Sequence, residues 1–146
     1  MHRALQGTRC MKAVDTNVLI YAHDPRDLIK KVIAITLLDS LEDGALLWQV
    51  ACEFLWASRK LESLGYDQTQ AWSEIYRLRR VWSLVPPGWI VMDRADQLLK
   101  SYSLSFWDSM IIAACLEGGV TCLYSEDFSS YSQIESLSLV NPFKSP

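Results

Sequence analysis

Asp15, Glu53, Asp108 and Asp127 are spread along a chain of 146 residues, each at a place where an acid can do chemistry. Asp15 follows the apolar run Met11–Val14, and Asp127 follows the run Val120–Tyr124 by a few residues. Glu53 falls early in a helical stretch behind a second apolar run, and Asp108 in the first turn of a helix opened by Ser105. In open α/β sheets, ligands gather beyond the carboxyl ends of the strands, so all four acids are expected on one rim. Two such anions ~4 Å apart repel by about 1–4 kcal/mol in water-like to surface-like surroundings. Unless a counterion arrives, some of them take up protons. Mg²⁺ or Mn²⁺ relieves the repulsion, because hard cations favour carboxylate oxygen and water over His or Cys. Such an ion can activate water and neutralise a phosphodiester in the transition state.

Each acid also has a plainer role available. Asp15 serves equally well as the cap of the helix that follows. Ser105 and Asp108 match a capping box, Glu53 alone reads as a helix-surface acid, and Ser125 and Asp127 alone read as turn formers. Helical spacing argues against four separate plain roles. Asp108 shares a face with Ile111, Ile112 and Cys115, on a helix apolar almost all round, where an unpaired carboxylate is costly. Glu53 shares a face with Val50 and Ala57, at the edge of an apolar stripe.

The elements that must position these acids follow from short apolar runs and their punctuation. Strands are expected at residues 11–14, 45–50, 84–85, 120–124 and 137–140. Helices are expected at residues 17–22, 27–40, from Val50 to Gly65, from an Asp67 cap through Trp82, at 91–101, and from Ser105 to Gly118-Gly119. In the second of these, Leu28, Val32, Ile35 and Leu38 or Asp39 are expected on one side. In the helix after Asp67, Ala71, Ile75, Leu78 and Trp82 are expected to face inward, with Ser73, Arg77 and Arg80 outward. Strands alternating with helices give an α/β/α sandwich around a central, mainly parallel five-stranded sheet.

Composition sets the limits. Length predicts one domain, over residues 11–143, preceded by a loose tail or mis-assigned start at residues 1–10. The net charge of −3 excludes a broadly basic nucleic-acid coat, so contact with a polyanion must be local or cation-mediated. No run approaches the roughly 20 apolar residues of a membrane span, and residues 1–10 lack the apolar stretch of a signal peptide. A soluble, cytoplasmic chain without membrane contact is expected. Cys10, Cys52, Cys115 and Cys122 form no CxxC pair and read as buried free thiols in a reducing compartment.

The segments carrying the four acids resemble the PIN-domain nucleases, and among them the VapC-like toxins of toxin–antitoxin pairs. The likeness runs through MKAVDTNVLIYA (residues 11–22), QVACEF (49–54), SFWDSMIIAA (105–114), YSEDF (124–128) and the closing VNPF (140–143). It spans residues 11–143 in the family's order. The resemblance implies metal-dependent cleavage of RNA, with Mg²⁺ or Mn²⁺ held by Asp15, Glu53, Asp108 and Asp127. Glu126 beside Asp127 is an alternative last ligand. Thr16 or Asn17, and Ser125, would support the acids. Cys52 departs from the pattern, standing where the family often has a polar residue. The resemblance also implies a homodimer and neutralisation by a small antitoxin protein.

Two rival readings use the same residues. A phosphatase with Asp15 as covalent nucleophile wants a second Asp two residues on, where this chain has Asn17. A catalytically silent binding module on the same fold usually goes with lost acids, and none is lost here. Arg59, Lys60, Arg77, Arg79 and Arg80 could steer phosphates but read first as a solvated helical face. His2 and His23 read as exposed. Most of the six tryptophans read as core, while Trp72 and Tyr76 fall off their helix's main stripe and suit a partner contact.

Overall fold

The run MKAV has apolar side chains on both faces and becomes β1 (Met11–Val14), an inner strand of the sheet. The computed structural model describes residues 10–145. The expected tail therefore falls almost wholly outside the described residues, and His2 lies outside them as well. After β1 the chain runs through α1 (Thr16–Tyr21), α2 (Leu28–Ser40), β2 (Gly44–Leu47) and α3 (Trp48–Ala57). A 3₁₀ segment (Ser58–Leu64) leads to α4 (Gln68–Val81), β3 (Ser83–Val85), α5 (Trp89–Ser101) and α6 (Phe106–Glu117). The chain closes with β4 (Val120–Tyr124), β5 (Gln133–Ile134) and β6 (Leu137–Val140).

The strands form one sheet in the order β3-β2-β1-β4-β6-β5. All neighbours are parallel except β5 against β6. The sheet has six strands rather than five: β5 is only two residues long, too short for a period-2 pattern to show. All four residues of β2 are buried, which requires cover on both faces, as in a doubly covered parallel sheet. Chain order reverses between β1 and β4, since β2 and β3 lie on one side of β1 and β4 and β6 on the other. That is the topological switch point, where the carboxyl ends of such strands leave a crevice.

Local chemistry explains several boundaries. Asp67 accepts from the Gln70 amide while the Gln70 side chain accepts from Asp67 N–H, a complete capping box for α4. Gly65 ends the 3₁₀ segment at φ 99°, a left-handed conformation that suits glycine. Pro86 and Pro87 end β3, lacking the amide a strand would need. β2 stops at Leu47, short of the expected Val50, because α3 already begins at Trp48.

The expected faces divide. On α4, Ala71, Ile75 and Leu78 are buried, with Trp82 behind them, and Ser73, Arg77 and Arg80 are exposed. On α2 the expected stripe is wrong: Leu28, Val32 and Ile35 are exposed, as is Ile29, and Ala34 is the buried residue. The tryptophans correct the sequence reading most sharply. Only Trp82 is buried, whereas Trp48, Trp56, Trp72, Trp89 and Trp107 are exposed. Buried thiols also fail as a group: only Cys115 is buried, Cys122 is half-buried, and Cys10 and Cys52 are exposed. His23 is not loose on the surface. Its ring stacks on Tyr66 with centroids 4.2 Å apart, and Nε2 lies 3.6 Å from Glu74. Among the described residues, no helix is long and apolar enough to cross a membrane.

Candidate active site

β1 delivers Asp15 to the crevice, and the β1–β4 pairing fixes its surroundings. Val14 lies opposite Tyr124, and the next amide, Asp15 N–H, donates to the Tyr124 carbonyl at 2.8 Å. Asp15 caps α1 by accepting from Thr16 N–H at 2.7 Å. Its other oxygen accepts from the Ser125 hydroxyl at 2.8 Å. The cap and the site are therefore the same carboxylate, with both oxygens bonded. Asp15 is only 4% exposed. Burial pushes its carboxyl up to about 6; the bonds from Ser125 and Thr16 oppose this, while the charges of Asp127 and Glu53 add to it.

The other acids are tied to the same knot. Thr16 Oγ1 donates to Glu53 Oε1 at 2.8 Å, and Gln49 Nε2 donates to Glu53 Oε2 at 3.1 Å. Glu53 lies in the second turn of α3, one turn deeper than expected, because the helix starts at Trp48. Asn17 Nδ2 reaches Ser125 Oγ at 3.3 Å and Asp127 Oδ2 at 3.1 Å. The Asp127 amide donates to Ser125 Oγ at 3.1 Å, so Ser125 bridges both carboxyl-end acids. Burial raises the Asp127 carboxyl, the Asn17 bond opposes it, and the charges of Asp108 and Glu126 raise it further. Asp108 thus reaches the group electrostatically from the first turn of α6, where Ser105 Oγ accepts its amide at 3.2 Å.

Glu126 points elsewhere. It accepts from Tyr21 OH at 2.7 Å and pairs with Lys30 Nζ at 2.9 Å. Gln49 went unremarked in the sequence, although its spacing of four from Glu53 on one helix is the signal that marks it. Nothing comparable marks Tyr21 and Lys30, which meet Glu126 only through the tertiary fold. The basic residues of the middle helices are dispersed rather than pooled. Arg59 stacks over Trp56 at 4.4 Å, Arg77 pairs with Glu74 at 2.9 Å, and Arg79 lies over the Tyr76 ring at 5.9 Å.

Among the described residues, no three Asp, Glu, His or Cys side chains close around one point as they stand. The carboxylate oxygens of Asp15, Glu53 and Asp127 are instead bonded to Thr16, Gln49, Asn17 and Ser125. The donor chemistry nonetheless suits a hard cation: it is all oxygen, strongly anionic and short of compensating positive charge. Asn17 Oδ1 is also buried without a hydrogen-bond partner, an oxygen that a cation or its water would satisfy.

The PIN domain family model matches residues 12–134. Among solved structures, a toxin-antitoxin complex from Klebsiella pneumoniae superposes with TM-score 0.67 at 18% identity, covering 90% of this chain and 97% of that one. VapC20 of Mycobacterium tuberculosis, a sarcin-ricin loop cleaving toxin, gives 0.65 at 18% identity, covering 85% and 97%. FitAcB from Neisseria gonorrhoeae gives 0.64 at 18% identity, covering 91% and 99%. Comparison with curated proteins finds no match. The fold, its switch-point crevice and the family match together place this chain in the PIN domain family.

Proposed function

We infer that the chain is a metal-dependent endoribonuclease, the toxin of a toxin–antitoxin pair, with its nuclease unit over residues 11–143. The observation that carries this reading is the bonded knot of Asp15, Glu53 and Asp127 at the sheet's switch point, with Asp108 electrostatically coupled to it. The sarcin-ricin loop cleaving toxin and the toxin-antitoxin complex among its structural relatives support it.

Asp15, Asp108 and Asp127 would hold Mg²⁺ or Mn²⁺, with Glu53 orienting its water shell or a second ion. Bound there, the cation would supply an activated water and charge neutralisation at the scissile phosphate. The chain's own residues do the positioning. Ser125 holds Asp15 and the Asp127 backbone together, and Asn17 aims Asp127 inward. Thr16 and Gln49 fix the two oxygens of Glu53. Exposed apolar side chains on α2 (Leu28, Ile29, Val32) and the Trp72–Tyr76 pair on α4 support contacts with an antitoxin and a second copy of the chain.

The test compares cleavage of an RNA by wild type and Asp15→Asn in Mg²⁺, Mn²⁺ and EDTA. Cleavage in either metal, lost in EDTA and lost in the variant, is the expected result. Equal activity in chelator, or an undiminished variant, overturns the reading. The silent-module alternative draws on the absence of a closed three-acid cage among the described residues. RNA bound tightly but left whole in Mn²⁺ would establish it.

A further inference from the structure

A cleft of about 330 Å³ lies next to the acids, and three tryptophans line it: Trp48 at the start of α3, Trp89 at the start of α5 and Trp107 in the first turn of α6. They are 57%, 80% and 60% exposed. Exposing three indoles to water is unfavourable for a face with nothing to bind, since each leaves a large apolar area wet. Pro86 and Pro87 form part of the wall, and no residue lining the cleft carries a charge.

Gln49 and Trp107 tie the cleft to the candidate active site. Gln49 lines the cleft and donates from the same Nε2 to Glu53 at 3.1 Å and to the Trp107 carbonyl at 3.3 Å. Trp107 directly precedes Asp108. One amide therefore joins the apolar wall to the acidic rim. An extended polynucleotide crossing this boundary would present two chemistries: a phosphate for the acids and their cation, and a flat apolar base for the indoles.

We propose that Trp48, Trp89 and Trp107 form a base-stacking subsite for unpaired nucleotides of single-stranded RNA, next to the bond to be cut. The proposal deepens the nuclease reading and rests on it. Aromatic faces stack any nucleobase, and a base within a duplex cannot leave its neighbours to reach such a slot without unstacking. The uncharged lining favours a base over a phosphate, and no carboxylate within the cleft repels the strand. The three exposed indoles suit a planar ring better than the ridged side of a helix.

The test uses the full chain. Binding is measured by fluorescence anisotropy in the Asp15→Asn background, so that the RNA stays whole. The probes are a single-stranded decaribonucleotide, the same length built of abasic sugar-phosphate, and a duplex of the same sequence. Each of Trp48→Ala, Trp89→Ala and Trp107→Ala is expected to weaken single-strand binding about 5- to 150-fold. The corresponding Tyr variants should recover most of the loss. The abasic strand and the duplex should bind weakly to every form and respond little to the substitutions. In chains that keep Asp15, the Ala variants should raise KM for cleavage in Mn²⁺ while kcat changes less.

Ala variants that bind the single strand as the parent does overturn the proposal, and so does an abasic strand that binds as tightly as the base-bearing one. Sedimentation velocity supplies the remaining arm: Ala variants that convert a dimer to a monomer identify the cleft as a seat for a second copy and overturn the proposal. The two readings can fail separately. Mn²⁺-dependent cleavage with KM unchanged in the Ala variants removes the subsite and leaves the nuclease. Base-dependent binding without cleavage by wild type removes the nuclease and leaves the subsite.

Discussion

The Ser125 hydroxyl donates to Asp15 Oδ2 at 2.8 Å, joining residues 110 apart in sequence across the β1–β4 seam. The same oxygen accepts from the Asp127 amide and from Asn17 Nδ2, so one hydroxyl serves three neighbours. Ser125→Ala removes all three bonds in a position that is 3% exposed. It should cost about 1–3 kcal/mol in urea unfolding at pH 8, the usual range for orphaning buried polar groups. It should also lower RNA cleavage at least tenfold. A stability change within about 0.5 kcal/mol, the ordinary range of an inert surface change, would show that Ser125 does not hold the carboxylate.

Asp15 sets a pH dependence whose sign follows from its burial. Folded, its carboxyl stays protonated up to about 6, against an ordinary 3.8. The folded state therefore binds more protons between those values, and stability falls as pH rises. The stability that protonated Asp15 contributes is complete below about 3.8 and lost above about 6. Without metal, Asp15→Asn should be more stable than wild type at pH 8, by up to about 3 kcal/mol. At about pH 3, below both values, the difference should vanish. A gain that does not depend on pH would mean that the carboxylate's charge is not its cause.

Metal should reverse that penalty. With Mn²⁺ in EDTA-treated protein at pH 7.5, wild type should gain about 2.7 kcal/mol once the ion exceeds its Kd a hundredfold. The gain should shrink as pH falls below about 6, because the ligands must be deprotonated to bind. An Asp15→Asn/Asp127→Asn double variant should show little of it. Thermal unfolding monitored by circular dichroism reads all three effects.

Away from the site, Gly44 lies beneath the buried indole of Trp82. A Cβ there would sit 2.4 Å from the ring. Gly44→Ala should therefore lower stability by about 1–3 kcal/mol through overpacking. Trp82→Leu in the same chain should recover part of the loss. Equal stability of Gly44→Ala and wild type would show that the indole moves aside freely.

The residues that meet in the candidate site were easier to read from the sequence than the surfaces around them. Asp15 and Ser125 stand where apolar runs stop, and a parallel sheet presents such ends on one rim. Glu53 and Asp108 showed themselves through helical spacing against apolar neighbours. The tryptophans misled because periodicity reports only that apolar residues share a face, and Trp48, Trp89 and Trp107 share a cleft instead of the core. The stripe on α2 misled for a related reason. Its exposed Leu28, Val32 and Ile35 repeat with the same period that a buried face would show, while the residue it buries is the small Ala34. β5 has too few residues to carry a pattern, and Glu126 met Lys30 and Tyr21 only through tertiary contact.

The seam between β1 and β4 also has a temporal consequence. Asp15 is synthesised early, yet its partners arrive only with Tyr124 and Ser125, and the Ser125 amide in turn donates to the Val140 carbonyl. A nascent polypeptide that has emerged only as far as α6 owns three of the four acids but has no hydroxyl to organise them. The bonded arrangement around Asp15 is therefore completed only when the final strands dock.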